Sequence, residues 1–393
     1  MSSPAPDLVV LSHLRWPWVW QRPQHLVSRL AAARAGGGGR TWFVEEPLAA
    51  DVPAPRLGRE DAGPVTRVWL EVPDSSPEVT YLPFCAPGTS GYGRLLRELL
   101  EQEGRPPAPD VWLYTPLALD IAAALSPARL VYDVMDDLAS FQDAPEGLRL
   151  RQRQTLAEAD VVFTGGRSLH RGIAAQRGSG VHLFPSGVET EHYARSRGLR
   201  GQHPRPVAGY VGVVDERIDL DLLRDLAAAL PDWTLRVVGP VAKIDPGALP
   251  QADNLEYPGL VPYDYLPEVM AGFDVALMPF ALNDATRSIS PTKTLEYLAA
   301  GLPVVSTRVP DVVADYDEVV HFADDGAGFA DACRQVLEHS GEDRDRLLRP
   351  IQARQEWDSI ATAMTALLNE VGARAPQLID LRAGARQTAG ASG

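Results

Sequence analysis

The feature that most constrains this chain is an alternation of short apolar runs with longer amphipathic stretches, begun once and then begun again near its middle. Short runs rich in β-branched residues suit buried strands, and apolar spacings of three and four in between suit helices lying on a sheet. Repeated βα units build a mainly parallel sheet, because two parallel strands need a long crossover and a helix supplies it. In the first series, strands are expected at residues 7–11, 41–44, 68–72, 111–114, 130–133, 161–164 and 182–184. Helices are expected at 21–33, 94–102, 116–125, 148–159 and 168–176. Residues 51–66, rich in Pro, Gly and charge, read as loop, and 193–206 as an interdomain linker.

The second series has strands at 207–213, 234–238, 255–258, 274–278, 304–306 and 319–322. Its helices fall at 220–229, 265–271, 292–300 and 328–339, the third stopped by Gly301. A last helix follows at about 357–371, and 373–393 read as a disordered tail. The expectation is an α/β protein of two Rossmann-like domains, 1–192 and 205–354, facing across a cleft.

Composition excludes several classes. A net charge of −15 argues against nucleic acid as a general partner, since phosphate backbones demand clustered cations. No apolar run approaches the roughly 20 residues that span a bilayer, and the N-terminus has no signal-peptide pattern, so a cytoplasmic location is expected. Cys85 and Cys333, far apart, make a disulfide scaffold or thiolate metal site improbable. Of 37 basic residues only Lys243 and Lys293 are lysines. A lysine is a compact point charge suited to phosphate oxygens in a tight pocket; chance survival of two lysines explains the count equally well.

The strand at 274–278 leads through Asn283 and Arg287 to Ser290-Pro291-Thr292-Lys293. Ser as N-cap and Pro as first helical residue mark a helix start, whose free N–H groups attract a phosphate. Arg287 and Lys293 add full charges, and Glu296 one turn on can accept bonds from paired ribose hydroxyls. A capped surface helix with a Lys–Glu contact accounts for the spacing as well.

The segment Thr294-Leu295-Glu296-Tyr297-Leu298-Ala299-Ala300-Gly301-Leu302-Pro303-Val304-Val305-Ser306 resembles the nucleotide-sugar motif of GT-B glycosyltransferases, in particular the family-4-like group. Neighbouring segments are similar in order and spacing: Gly209 through Gly212 to Arg217, Val237-Val238-Gly239-Pro240 with Lys243 after it, Asn254 through Tyr257 to Gly259, and Trp357-Asp358. The resemblance, covering about 205–365, implies the GT-B fold with its final helix (about 355–372) crossing back to the N-terminal domain. It implies a ribose contact at Glu296, a cation on the donor diphosphate at Arg217, and the nucleobase near Tyr257. The co-substrate would be a UDP-, GDP- or dTDP-sugar, with no cofactor and no metal. Many members carry two glutamates seven residues apart; the earlier position here is Ser288. Ser-Pro-Thr-Lys is similar instead to polysaccharide transferases of the teichuronic-acid type.

In the first half, Trp16, Trp18 and Trp20 stand between a strand end and a helix start, beside Gln21 and Arg22. Aromatic faces stack on a small-molecule or glycan acceptor, while Arg22 or Gln21 reaches donor phosphate or acceptor hydroxyls; three tryptophans packing a loop is the structural alternative. His13, Asp133 and Asp136 follow strand ends and are candidates for the base that takes the acceptor proton. Ser168 reads as a helix cap. Asp219-Leu220-Asp221 opens a helix and so does not support a metal-dependent GT-A site, and no Gly-x-Gly-x-x-Gly follows a strand as a dehydrogenase needs. A nucleotide-sugar epimerase and a non-catalytic sugar-nucleotide-binding subunit share the architecture and remain open.

Overall fold

The computed structural model describes residues 5–74, 80–105, 108–138, 147–201, 203–284, 286–289, 292–338, 342–372 and 379. The first half contributes Leu8–Ser12 (β1), Thr41–Glu45 (β2), Leu48–Ala50 (β3), Arg56–Ala62 (β4), Val65–Pro73 (β5), Asp110–Leu113 (β6), Arg129–Val134 (β7), Val161–Thr164 (β8) and Val181–Leu183 (β9). They form one nine-stranded sheet in the order β3-β5-β2-β1-β6-β7-β8-β9, with β4 antiparallel on β5. Side chains alternate across a strand, and the sequence follows that period of two. Val9 and Leu11 enter one core with Trp42 and Val44, while Leu8 and Val10 enter the other with Phe43 and Trp112.

The second half contributes Val207–Val211 (β10), Thr234–Val238 (β11), Leu255–Gly259 (β12), Val275–Met278 (β13), Val304–Ser306 (β14) and Val320–Phe322 (β15). Their order is β12-β11-β10-β13-β14-β15, parallel throughout. The order reverses between β10 and β13, as it does between β1 and β6 in the first sheet. At such a reversal the crossover helices leave to opposite faces, so the strand C-termini flank an open crevice. Behind it, Gly239 (φ 148°) sits where a Cβ would lie 1.8 Å from the Gly212 carbonyl oxygen. Only glycine lets these two strand ends approach so closely.

The final helix, Trp357–Val371, returns to the first half. Its Trp357, Ile360, Ala361, Met364 and Leu368 stripe, at helical spacing, packs with Leu26, Val27 and Leu30 of the helix Arg22–Ala35. Among the described residues no helix is long and apolar enough to cross a membrane.

Three expectations are corrected. Residues 56–62 pair as β4, because backbone bonds to β5 and the exposed pairs Arg56–Glu71 and Arg67–Glu60 need no apolar pattern. The first half of the linker region belongs to a helix, Thr190–Leu199, in which Tyr193 and Ser196 are buried and Arg197 bonds the carbonyls of Ala299 and Leu298. A helix absent from the expectation, Glu342–Gln355, contains Pro350. The expected tail falls almost wholly outside the described residues.

His25 is buried where the parts of the chain meet. It stacks on Trp357 at 5.1 Å and 9°, and meets Trp20 and Tyr263 edge-on. Burial first, then the charges of Arg29, Lys293 and His192 against that of Glu189, hold its pKa down at about 3 from an ordinary 6.5. The unfolded chain therefore takes up a proton between these values that the folded chain refuses. The stability from a neutral His25 is complete above about pH 6.5 and declines by about 1.4 kcal/mol per pH unit toward about pH 3. Denaturant midpoints measured from pH 7 to 4 should fall less steeply in His25→Gln than in the unaltered protein; parallel curves would contradict the assignment.

Candidate functional site: the cleft between the two sheets

The crevices of both sheets open onto one cleft. A cavity of about 110 Å³ in it is lined from the first half by Trp20, Gln21 and Arg22 after β1, Met135 and Asp136 after β7, and Ser186. From the second half come Gly212 after β10, Arg217, Phe280 after β13, and Thr292 and Lys293 at a helix start. Most of these residues stand in the turns after strands, and Arg22, Thr292 and Lys293 stand at helix starts.

Charges of the two halves face each other here. Burial raises the Asp136 pKa above the usual carboxylate value, against the pull of Arg217 and Lys243 from the opposite half. Arg217 grips Asp215 through Nε and Nη2 at 2.7–3.1 Å. Burial opposes its charge, but the bonds and charge of Asp215, with Asp136 beyond, hold its pKa above the ordinary arginine value. His13 has its pKa lowered to about 4, by burial first and by Lys243 second, with the Tyr114 backbone opposing. It is therefore a neutral imidazole near pH 7, and its Nδ1 is buried with no hydrogen-bond partner. Lys243 itself has φ 60°, a left-handed conformation unfavourable for a side chain of this size.

On the helix Thr292–Ala299, Lys293 Nζ bonds Glu296 Oε2 at 2.5 Å. The contact is that of the surface-helix alternative, yet its side chains are only 15% and 7% exposed. The Glu296 carboxylate lines neither cleft cavity directly; burial and then its charge raise the Tyr193 phenol well above its usual range. Ser290 and Pro291 lie outside the described residues, as does any cap they form.

On the other side of Trp20 and Lys293 lies a second cavity, of about 1110 Å³. Its walls are aromatic and apolar: Trp18, Trp20, Leu260, Val261, Pro262 and Tyr263. Trp20 stacks on Tyr263 at 5.4 Å and 22°, and Tyr263 stacks on His192 at 4.3 Å and 7°. Its lining also carries Glu189, Glu191, Asp264, Glu356 and Asp358 against Arg29 and Lys293.

The geometry brings together Trp20, Gln21, Arg22, Asp136, Gly212, Arg217, Thr292 and Lys293, with His13 and Lys243 as electrostatic neighbours. Other candidates are not in that group. Asp133 is wholly buried and holds Arg22 Nε through both oxygens at 3.1 and 3.0 Å, which leaves it unsuited to accept a substrate proton. Trp16 packs edge-on against Phe43 in the core, with its backbone N–H held by the buried Glu45 Oε1 at 2.9 Å. The Tyr257 hydroxyl bonds the Pro250 carbonyl, and the Asn283 amide bonds that of Glu216. Arg287 is exposed and paired with Asp284. Ser168 is not the cap of its helix, which starts after Gly166; its N–H and hydroxyl instead donate to the buried Asp311 of the other half. Sequence reasoning missed Tyr263, His192, Glu189 and Asp311. Isolated polar residues without motif or period carry no local signal, and only the docking of the halves makes them neighbours.

Comparison with known proteins agrees with this fold. Residues 205–339 match the family described as Glycosyl transferases group 1. The chain is 28% identical over 232 residues to TuaH of Bacillus subtilis (strain 168), whose name assigns it to teichuronic acid biosynthesis as a glycosyltransferase. That match spans 54% of this chain and 56% of TuaH. Among solved structures, sucrose-phosphate synthase from Thermosynechococcus elongatus superposes with a TM-score of 0.67 at 17% identity, over 93% of this chain and 99% of that one. The trehalose-phosphate synthase of Burkholderia xenovorans, in complex with glucose-6-phosphate, gives 0.64 at 15% identity, with the same coverage of 93% and 99%. Anabaena Alr3699/HepE, in complex with UDP and glucose, gives 0.62 at 15% identity, again over 93% and 99%. The chain thus has the GT-B fold, and its residues 205–339 are similar to the group 1 glycosyl transferases.

Proposed function

We propose that the protein moves a sugar from a nucleoside-diphosphate sugar to a hydroxyl of a glycan or small-molecule acceptor, without a metal, in the cytoplasm. The observation that carries this reading is the convergence of Arg217, Lys243 and Lys293 from one half on Asp136 and His13 from the other. In the reaction the acceptor oxygen bonds the anomeric carbon, the bond from that carbon to the diphosphate breaks, and the electron pair leaves with the diphosphate. Cations fixed around the leaving group stabilise the charge that grows on it, and more strongly in a dry cleft than in water. The acceptor proton needs a base. A neutral His13 and an Asp136 that burial has made more basic both have suitable protonation chemistry.

The nucleoside fits the second-half side of the larger cavity, along Leu260, Val261, Pro262 and Tyr263, where the nearby carboxylates disfavour phosphates and the Tyr263 ring suits a flat base. Glu296 would take the ribose hydroxyls on exchanging its bond from Lys293, which is then released toward the diphosphate. The first-half side, Trp18 (45% exposed) and Trp20 of the larger cavity with Gln21 of the smaller one, would receive the acceptor. The UDP and glucose bound by Alr3699/HepE and the biosynthetic role in the name of TuaH support a nucleotide-sugar donor and a glycan acceptor.

Thermal unfolding with a panel of UDP-, GDP- and dTDP-sugars, each in EDTA, is expected to raise the melting temperature with one nucleotide class; no shift with any of them would reject the donor reading. With the donor so identified, Glu296→Gln should weaken its binding on the order of 10-fold in calorimetry. Lys293→Ala should lower kcat on the order of 10-fold or more, and undiminished turnover would remove its role on the leaving group. His13→Gln and Asp136→Asn separate the two candidate bases. Loss of kcat, with donor affinity kept, is expected in the one that accepts the proton, and full rates in both variants would exclude both.

A further inference from the structure

Arg22 is 1% exposed, yet its bonding is incomplete. Its Nε donates to both oxygens of Asp133 at 3.1 and 3.0 Å, and its Nη1 to the Phe184 carbonyl at 2.8 Å. Its Nη2 is buried with no hydrogen-bond partner. A buried N–H left alone loses its hydration for nothing, so most buried guanidinium groups end with every nitrogen bonded; Arg34, whose Nε is also unpartnered, lines neither cleft cavity. Arg67 illustrates this in the same domain: Nε and Nη2 bond Glu45 and Nη1 bonds Glu60. Arg22 departs from that pattern, and it does so where it lines the small cleft cavity.

What the open N–H groups require follows from their surroundings. Guanidinium donates and never accepts, so the missing partner is an oxygen with free lone pairs. Across the cavity stand Arg217 and Lys293, each with one carboxylate of its own, Asp215 and Glu296. Three cationic side chains, each paired with one carboxylate, converge with the Asp136 carboxyl on a space of about 110 Å³. A phosphate oxygen suits such a set better than a hydroxyl, which brings a proton of its own to place. Asp133 and the Phe184 carbonyl hold the guanidinium plane still, so its donors stand ready without reorganisation.

We propose that Arg22 Nη2 binds a phosphate oxygen of the nucleoside diphosphate, so that the first half of the chain holds part of the donor and not the acceptor alone. The inference rests on the donor reading above. Its consequence is that the diphosphate bridges both walls of the cleft and that its site is complete only when the walls meet.

Calorimetry with UDP, GDP and dTDP, and with uridine, guanosine and thymidine, tests it. Arg22→Gln alone leaves Asp133 buried without its cation, so the main variant is Arg22→Gln with Asp133→Asn, checked for folding by its melting curve. The expected result is diphosphate binding weaker on the order of 10-fold or more, with nucleoside binding unchanged. Unchanged diphosphate affinity in the folded variant overturns the proposal, and so does an equal loss for nucleoside and diphosphate. Should that variant fail to fold, Arg22→Lys keeps a cation on Asp133 while removing Nη2, and the same two outcomes decide. An unaltered protein that binds none of the three diphosphates rejects the donor reading, and this inference with it.

Discussion

The structure depends on the return of the chain to the half in which it began. The stripe from Trp357 to Leu368 completes a core formed by β1, β2 and the helix Arg22–Ala35, so the second sheet is inserted between two parts of the first half. Both connections must then pass side by side. Val188 pairs with Glu356 at that crossing, and Gly187 is so close to its neighbour that a Cβ would stand 2.7 Å from the Gln355 carbonyl oxygen. With the crossing held there, the crevices of the two sheets face each other.

Two further contacts bracket the cleft. At one side the rings of Trp20, Tyr263 and His192 stack across the junction, His25 meets Tyr263 edge-on, and Tyr263 is bonded to Glu189. At the other, the buried carboxylate of Asp311 receives the N–H and hydroxyl of Ser168, at the positive end of a first-half helix. Between them the ionic groups sit as local pairs, Arg22 with Asp133, Arg217 with Asp215 and Lys293 with Glu296. Paired charges are tolerable in a partly dry cleft where lone ones are not. Such pairs also suit a site that must accept an anion, because a ligand oxygen need only take over donors that a carboxylate now holds.

Much of the fold was legible in the sequence, and for a local reason. Strands buried on both faces must be apolar throughout, and the final helix must carry a stripe at spacings of three and four, so β1, β10, β13 and Trp357–Val371 stand out. The edge strand β4 did not, since its partner is reached through backbone bonds and its side chains face water. The helix Thr190–Leu199 was hidden likewise, because it is held by Arg197 on distant carbonyls more than by an apolar face.

The sequence by itself determined the two βα series, the helix start before Lys293 and the residues that end each strand, because these follow from local periodicity and turn chemistry. It also placed Arg22, Asp136, Arg217 and Lys293 at such strand ends or helix starts, without saying which would meet. Tertiary structure alone decided the rest: that Asp133 is consumed by Arg22, that Trp16 turns inward while Trp18 stays exposed, and that His13 is a neutral neighbour of Lys243. Those outcomes depend on pairs of residues far apart in the chain, and burial, charge and hydrogen bonding between such residues exist only once the two sheets have been brought face to face.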